Sequence, residues 1–341
     1  MWRKPPQRRL PASLAQYASD VDRKTTPADR FFSEITRKAL FLGVQFVLVD
    51  TPPGSAQTRQ EAGALGIRPY FVQVSPLDVI DWAFETDEAG VEGLKYVVIR
   101  ERVERSAVPF QGHAWVQQWR LWTKNSFEIW QEQDNQPVLV SAGDNPLGLV
   151  PLVPFYYEEQ EPMVGASLLA DVASLCLALY RKENERDISE FYTAVPFYHF
   201  KGFSEEELQK IAIGSANGII SNNPEAEIVI VEAAGTAIEA IRQSANDLHE
   251  AILEIAMRMV RPETRAAESF EKAQLDRLHL NTQLEYFSRK TAVAEKRCWE
   301  LAALWQGDDP ANIEIEYNTD FDIQEQQGET LFKGFPPEPP S

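Results

Sequence analysis

Ser167-Leu-Leu-Ala-Asp-Val-Ala-Ser-Leu-Cys-Leu-Ala-Leu-Tyr180 decides how this chain is read. Its apolar residues Leu168, Leu169, Val172, Leu175, Cys176, Leu179 and Tyr180 recur every three or four positions, the period of a helix face. Ser167 is a residue type that caps helix starts. The polar run Arg181 to Asp187 carries the helix, read as residues 165–189, on into solvent. After an insert comes a second helix, residues 236–260. Thr236-Ala-Ile-Glu239 has the spacing of a capping box, and Ile241, Ala245, Leu248, Ile252, Ile255 and Met259 alternate steps of four and three, a coiled-coil-like seam. The two helices therefore carry the insert 190–235, a small α/β unit. It opens on the aromatic cluster Phe191, Tyr192, Phe197, Tyr198 and Phe200. A short helix from Ser204 follows, then strand-like Ile219-Ile220 and Ile228 to Val231.

Upstream, residues 1–28 are polar and Pro-bearing and read as a flexible N-terminal arm. Residues 29–164 begin with a helix whose apolar positions are Phe31, Phe32, Ile35, Ala39 and Leu40. Gly43 breaks it, and the strand Val44 to Val49 follows. From residue 68 the pattern is β-rich. Trp115, Trp119 and Leu121 fall on one face and Trp122 on the other, and a turn at Lys124-Asn-Ser126 leads into Phe127 to Trp130, a hairpin pattern. This Trp cluster fits either a stacking platform for a carbohydrate or nucleotide, or a sheet packed on helices or on a neighbouring subunit. Pro151 and Pro154 place Leu149 to Tyr157 at a sheet edge, because Pro cannot donate to an inner ladder. Downstream, Arg261-Pro262 ends the second helix, and residues 261–305 hold a turn and a long last helix closed by Gly307. Residues 306–341 carry one strand, Ile313 to Tyr317, and an acidic tail whose composition predicts disorder.

The 341 residues include 52 acidic and 33 basic side chains, a formal charge of -19. That balance excludes a nucleic-acid grip over the whole surface, which needs Lys and Arg to displace counterions. The two cysteines, Cys176 and Cys298, sit in apolar helical patterns and read as small core residues of a chain in a reducing compartment. No apolar run approaches a membrane span. The chain has no phosphate loop, no nucleophile elbow and no H-E-x-x-H, and none of His113, His199, His249 and His279 has a ligand neighbour at metal spacing. The expectation is no enzyme, no cofactor and no metal.

Several phrases resemble the portal proteins of tailed bacteriophages, and more closely a portal-like family long catalogued as a domain of unknown function. They are Ala39-Leu-Phe-Leu-Gly43 leading to Val47-Leu-Val-Asp-Thr-Pro-Pro53, and Arg68-Pro-Tyr70 leading to Val74-Ser-Pro-Leu-Asp-Val-Ile-Asp-Trp82. Further on come Pro151-Leu-Val-Pro154, Ser167 to Arg181, Ala194-Val-Pro196, Gly202, Glu263 to Ser269 and Asn318-Thr-Asp-Phe321. The resemblance implies an α+β portal fold with a β-rich wing (29–164), a two-helix stem (165–189 and 236–260) carrying a small α/β clip (190–235), a tunnel turn with a long C-terminal wing helix (261–305), and a crown-side strand (306–341). It implies a virion protein assembled in the host cytoplasm as a ring, typically a dodecamer. That ring would sit at one capsid vertex against the major capsid protein, with double-stranded DNA passing non-specifically through its channel. The stem seam would lie between subunits. Phe197, Tyr198 and Phe200 of the clip would meet the terminase large subunit and head-completion or adaptor proteins. Arg258, Arg261 and Arg265 would line the tunnel turn; the plain alternative is that they complement a helix dipole. Two other classes stay open: a different virion or tail interaction protein sharing only the wing-like sheet, and a soluble enzyme with an unrecognised site.

Overall fold

The computed structural model describes residues 4–52, 61, 65–108, 112–194, 197–209, 220–231, 236–260, 270–319 and 321. The chain is a mixed α and β protein that divides into two units. One comprises residues 1–169 and 267–341, the other residues 170–266.

The larger unit is built around β2 (Val44–Asp50), whose seven residues are all buried. The unbroken apolar run Phe46 to Val49, flanked by buried Gln45 and Asp50, is what a strand covered on both faces requires. It is the middle strand of an antiparallel sheet of order β3-β2-β9, with β3 at Tyr70–Val74 and β9 at Leu152–Tyr156. The strand bearing Pro154 is an edge strand, as the ladder argument expects. Alternate residues of β2 feed two cores. Val47 and Val49 meet α2 (Ala28–Leu42) through Phe31, Phe32 and Ile35, and meet α6 (Phe270–Trp305) through Trp299, Leu301 and Ala302. Phe46 and Leu48 meet Val79, Val97, Ile99 and Trp122 of a second sheet. Trp305 closes the junction: its indole N–H donates to the Val49 carbonyl at 3.0 Å, and its ring lies edge-on to Trp122.

That second sheet is a five-stranded antiparallel meander of β4 (Val79–Thr86), β5 (Glu92–Val108), β6 (Gly112–Thr123), β7 (Ser126–Gln133) and β8 (Gln136–Asp144). Trp122 stands opposite Phe127 across the β6–β7 hairpin, and Trp119 opposite Trp130. The meander is longer than the sequence pattern indicates, because Arg100 to Glu104 is charged at every position but Val103 and lacks an apolar signature. A small hairpin of β10 (Glu158–Glu161) and β11 (Val164–Ala166) completes this part.

Residues 4–27 are not a free arm. Here β1 (Gln7–Arg9) pairs antiparallel with β14 (Glu314–Glu316), and α1 (Ala12–Ala15) buries Leu14 completely, with Val21 beside it in the helix-side core. An ionic cluster that no local pattern announces holds the segment. Arg8 pairs with Asp29 and with the fully buried carboxylate of Glu295 on α6, which also accepts from the Trp299 N–H at 3.1 Å and from the Tyr317 hydroxyl. Burial opposes the Arg8 charge, but hydrogen bonding and the charge of Glu295 outweigh it and raise Arg8 above its ordinary value. Tyr317 is pushed well up, by burial first and then by the Glu295 charge. The far tail, residues 322–341, and residues 261–269, where the sequence places the turn and the start of the last helix, lie outside the described residues.

Gly43 ends α2 with φ +85, donating its N–H to the Ala39 carbonyl at 2.8 Å. A Cβ there would overlap the backbone of Gly165. Gly43→Ala combines left-handed strain with a backbone collision, and is expected to cost about 2–3 kcal/mol in urea denaturation. A change below about 0.5 kcal/mol would mean that the two loops separate freely.

The smaller unit consists of α3 (Ala170–Ala194), β12 (Phe197–Lys201), α4 (Glu205–Leu208), β13 (Glu227–Val231) and α5 (Thr236–Val260). The long helices pack on each other, and β12 and β13 form an antiparallel pair between them in sequence. The second helix has the bounds expected from the sequence. The first does not: it starts at Ala170 and runs to Ala194, so Phe191 and Tyr192 belong to the helix and the insert starts later than residue 190. Ser167 lies just before it, its hydroxyl donating to the Phe41 carbonyl at 2.7 Å and accepting from the Leu169 N–H at 3.0 Å.

Candidate functional site

Two opposite faces of α3 carry the site. Val172, Leu175, Leu179, Arg186, Ser189 and Thr193 are half-buried and recur at helical spacing. On the facing helix α5, Ile241, Leu248, Ile252 and Ile255 are half-buried and Ala245 is 2% exposed. The expected seam is therefore a half-buried face of a helix that packs on α3, with its small residue the most buried. Met259 belongs to α5, but its side chain lies outside the described residues.

The opposite face of α3 holds a second apolar stripe that sequence reasoning missed. Leu177, Tyr180, Ile188 and Phe191 are 52%, 71%, 50% and 66% exposed, with Asn184 at the middle position. The steps 177, 180, 184, 188 and 191 are those of a helix seam, with one polar residue inside it. The signal was present in the sequence but was split by reading Arg181 to Asp187 as purely solvated and Phe191 as part of the insert. Arg186 reaches Glu183, Asp187 and Glu190 across the polar flank, so local ion pairs hold that flank and leave the stripe uncovered. Leu253 of α5 is also exposed. Cys176, expected in a core, is exposed on α3, whereas Cys298 is buried with its thiol pushed up by that burial. An exposed apolar stripe of this kind on a long helix is a candidate interaction surface.

In the insert, Tyr198 and Phe200 share one face of β12 with rings 6.4 Å apart, and Phe203 packs edge-on to Phe200 at 5.6 Å. Tyr198 and Phe200 are half-buried; Phe197 pairs with Val231 in the ladder, and its side chain lies outside the described residues. Among the described residues of the insert, the most exposed apolar side chains are Ile220 and Ile230, the latter opposite Tyr198. Ser204 caps α4 in a reciprocal capping box with Glu207, which also accepts from the Ser221 hydroxyl at 2.9 Å and the Asn222 N–H at 3.2 Å. These bonds, the Ser204 N–H first and the Ser221 hydroxyl next, hold the Glu207 carboxyl down to about 2. A depressed carboxyl contributes stability above its ordinary range that is lost as pH falls toward 2. NMR titration should find the Glu207 midpoint near 2 and should find it raised in Ser221→Ala; an ordinary midpoint in the parent chain would contradict the bonding.

Arg258 belongs to α5 by its backbone, with its side chain outside the described residues; Arg261 and Arg265 lie outside them altogether. Among the described residues no group of three or more His, Cys, Asp or Glu side chains could hold a metal ion, and no helix is long and apolar enough to cross a membrane. A family described as a domain of unknown function (DUF4055) matches residues 168–306, the stretch from the approach to α3 to the end of α6. No curated protein matches the chain.

Proposed function

We propose that the chain is a structural subunit of a phage-portal type ring. The single observation that carries this reading is the two-faced helix α3: one face packs on α5 inside the chain, and the other leaves Leu177, Tyr180, Ile188 and Phe191 in solvent. An apolar stripe of this length is stable in water when a neighbouring helix covers it, and a head-to-tail contact closes into a ring where the rotation between neighbours closes. The helix pair with its small β-hairpin insert is the stem and clip, the unit with the two sheets is the wing, and α6 is the wing helix.

The resemblance of the wing, stem and tail phrases to portal proteins supports the same reading. The acidic balance of the chain suits a channel wall past which DNA slides instead of sticking. Arg258, Arg261 and Arg265 are the candidate cations at the tunnel turn. Ile230 and Tyr198 are the candidate contact for terminase and head-completion proteins. Native mass spectrometry tests the reading. It predicts one closed oligomer whose mass is a single integral multiple of the chain mass. Monomer or dimer alone, or an open ladder of sizes, would overturn it.

A further inference from the structure

The five-stranded meander has one face in the core and one without a partner among the described residues. Val97, Ile99 and Trp122 point into the core beneath it. The residues between them point the other way, and none of Val98, Trp119, Leu121 and Trp130 enters either buried cluster. The ladder register arranges this outer face in rows. Arg100 stands opposite Trp119, and Trp119 opposite Trp130. In the neighbouring row Arg102 stands opposite Gln117. Because Gln118 faces Gln131, the next pair outward is Gln117 with Glu132. The outer face thus has a tryptophan centre, with exposed Arg102 on the β5 side and exposed Glu132 on the β7 side. Arg102 lies over the Trp115 ring at 5.4 Å, and no ion pair within the chain joins Arg102 or Glu132 among the described residues.

We infer that this face pairs two copies of the chain, sheet against sheet, about a two-fold axis running along β6. Such an axis turns the second copy over so that its β5 lies above β7 of the first. Arg102 of each copy then meets Glu132 of the other, and the Trp119 side chains meet at the centre. The face is self-complementary because its two flanks carry opposite charge in the same row, which is what a contact between identical patches requires. Sheets pack this way about 10 Å apart, with their inner side chains interdigitated. A centre of Trp flanked by Arg is also the composition that dominates binding energy at protein interfaces. This pairing does not rest on the ring reading. It uses the sheet of one unit, whereas the ring reading uses the helix stripe of the other.

A charge-exchange experiment tests it without depending on any single variant's folding. Arg102→Glu and Glu132→Arg are each made in a Tyr180→Asp background, which removes the helix-stripe contact. The parent Tyr180→Asp chain is expected to form dimers by sedimentation velocity. Each swap alone should weaken self-association at least about tenfold, since like charges then face each other twice. Mixing the two swaps should restore a mixed dimer, because every facing pair is again opposite in sign; a fluorophore on one variant reports its sedimentation with the other. A parent chain that stays monomeric up to its solubility limit would overturn the pairing. So would a mixture that associates no more tightly than either swap alone. Failure of the ring reading shows differently, as a Tyr180→Asp change that leaves the assembly state of the unsubstituted chain unaltered.

Discussion

Arg8→Ala is expected to lower the stability of the β-rich unit by about 3–5 kcal/mol, the cost of leaving a buried charge without its partner. Glu295 has no exposed side-chain surface and Arg8 is 11% exposed, so water cannot take over the role of either. The carboxylate would keep its bonds from Trp299 and Tyr317 and lose the only cation that faces it among the described residues. Asp29 would lose the same partner, at much smaller cost because it is half exposed. The loss extends to the β1–β14 ladder, since Arg8 is its middle residue, opposite Ile315. Urea denaturation followed by tryptophan fluorescence reads the effect. Arg8→Met with Glu295→Leu should recover much of it, because replacing both members of a buried pair by apolar groups removes the desolvation penalty along with the attraction. A loss below about 1 kcal/mol for Arg8→Ala would mean that the ion pair is a surface contact and that the N-terminal segment is held by Leu14 and Val21 alone.

The paired change Leu177→Asp with Tyr180→Asp is expected to abolish closed oligomers while leaving helix content unchanged. Both residues are more than half exposed in the single chain, so charges there cost the isolated fold little. If a neighbouring helix covers them, each charge must be desolvated at a cost of several kcal/mol, repeated at every contact around the ring. Ile252→Asp is the less discriminating choice. Ile252 lies on the half-buried face of α5 that packs on α3, so a charge there would loosen the helix pair itself. Circular dichroism with sedimentation separates the outcomes: a helical species no larger than the sheet-paired dimer supports the stripe, and an unchanged oligomer removes it from the assembly.

What the sequence reveals follows the range over which each interaction acts. The helix Ala28–Leu42, the buried strand Val44–Asp50, the Trp122–Phe127 hairpin and the helix Thr236–Val260 are written in local periodicity, and the structure has them close to where the pattern puts them. The ordering of residues 4–27 was not legible, because Arg8 finds Glu295 across a separation of 287 residues and the polar stretch around it carries no period. The strand β8 was missed for a different reason. Eight of its nine residues are exposed and Val138, Leu139 and Val140 are consecutive, so it shows neither alternation nor a buried run. The apolar stripe of α3 was present in the letters, but two such stripes on one helix blur each other: Leu175 and Leu179 point one way, Leu177 and Tyr180 the other. A helix apolar on both sides has two partners to satisfy, and a search for one amphipathic face finds only the first.

Negative-stain electron microscopy of the purified chain at moderate salt tests the central claim most directly. The account predicts rings with a central hole and radial symmetry, lost in the Leu177→Asp/Tyr180→Asp chain. A field of small single particles from the parent chain, at concentrations where its helices are folded, would contradict it.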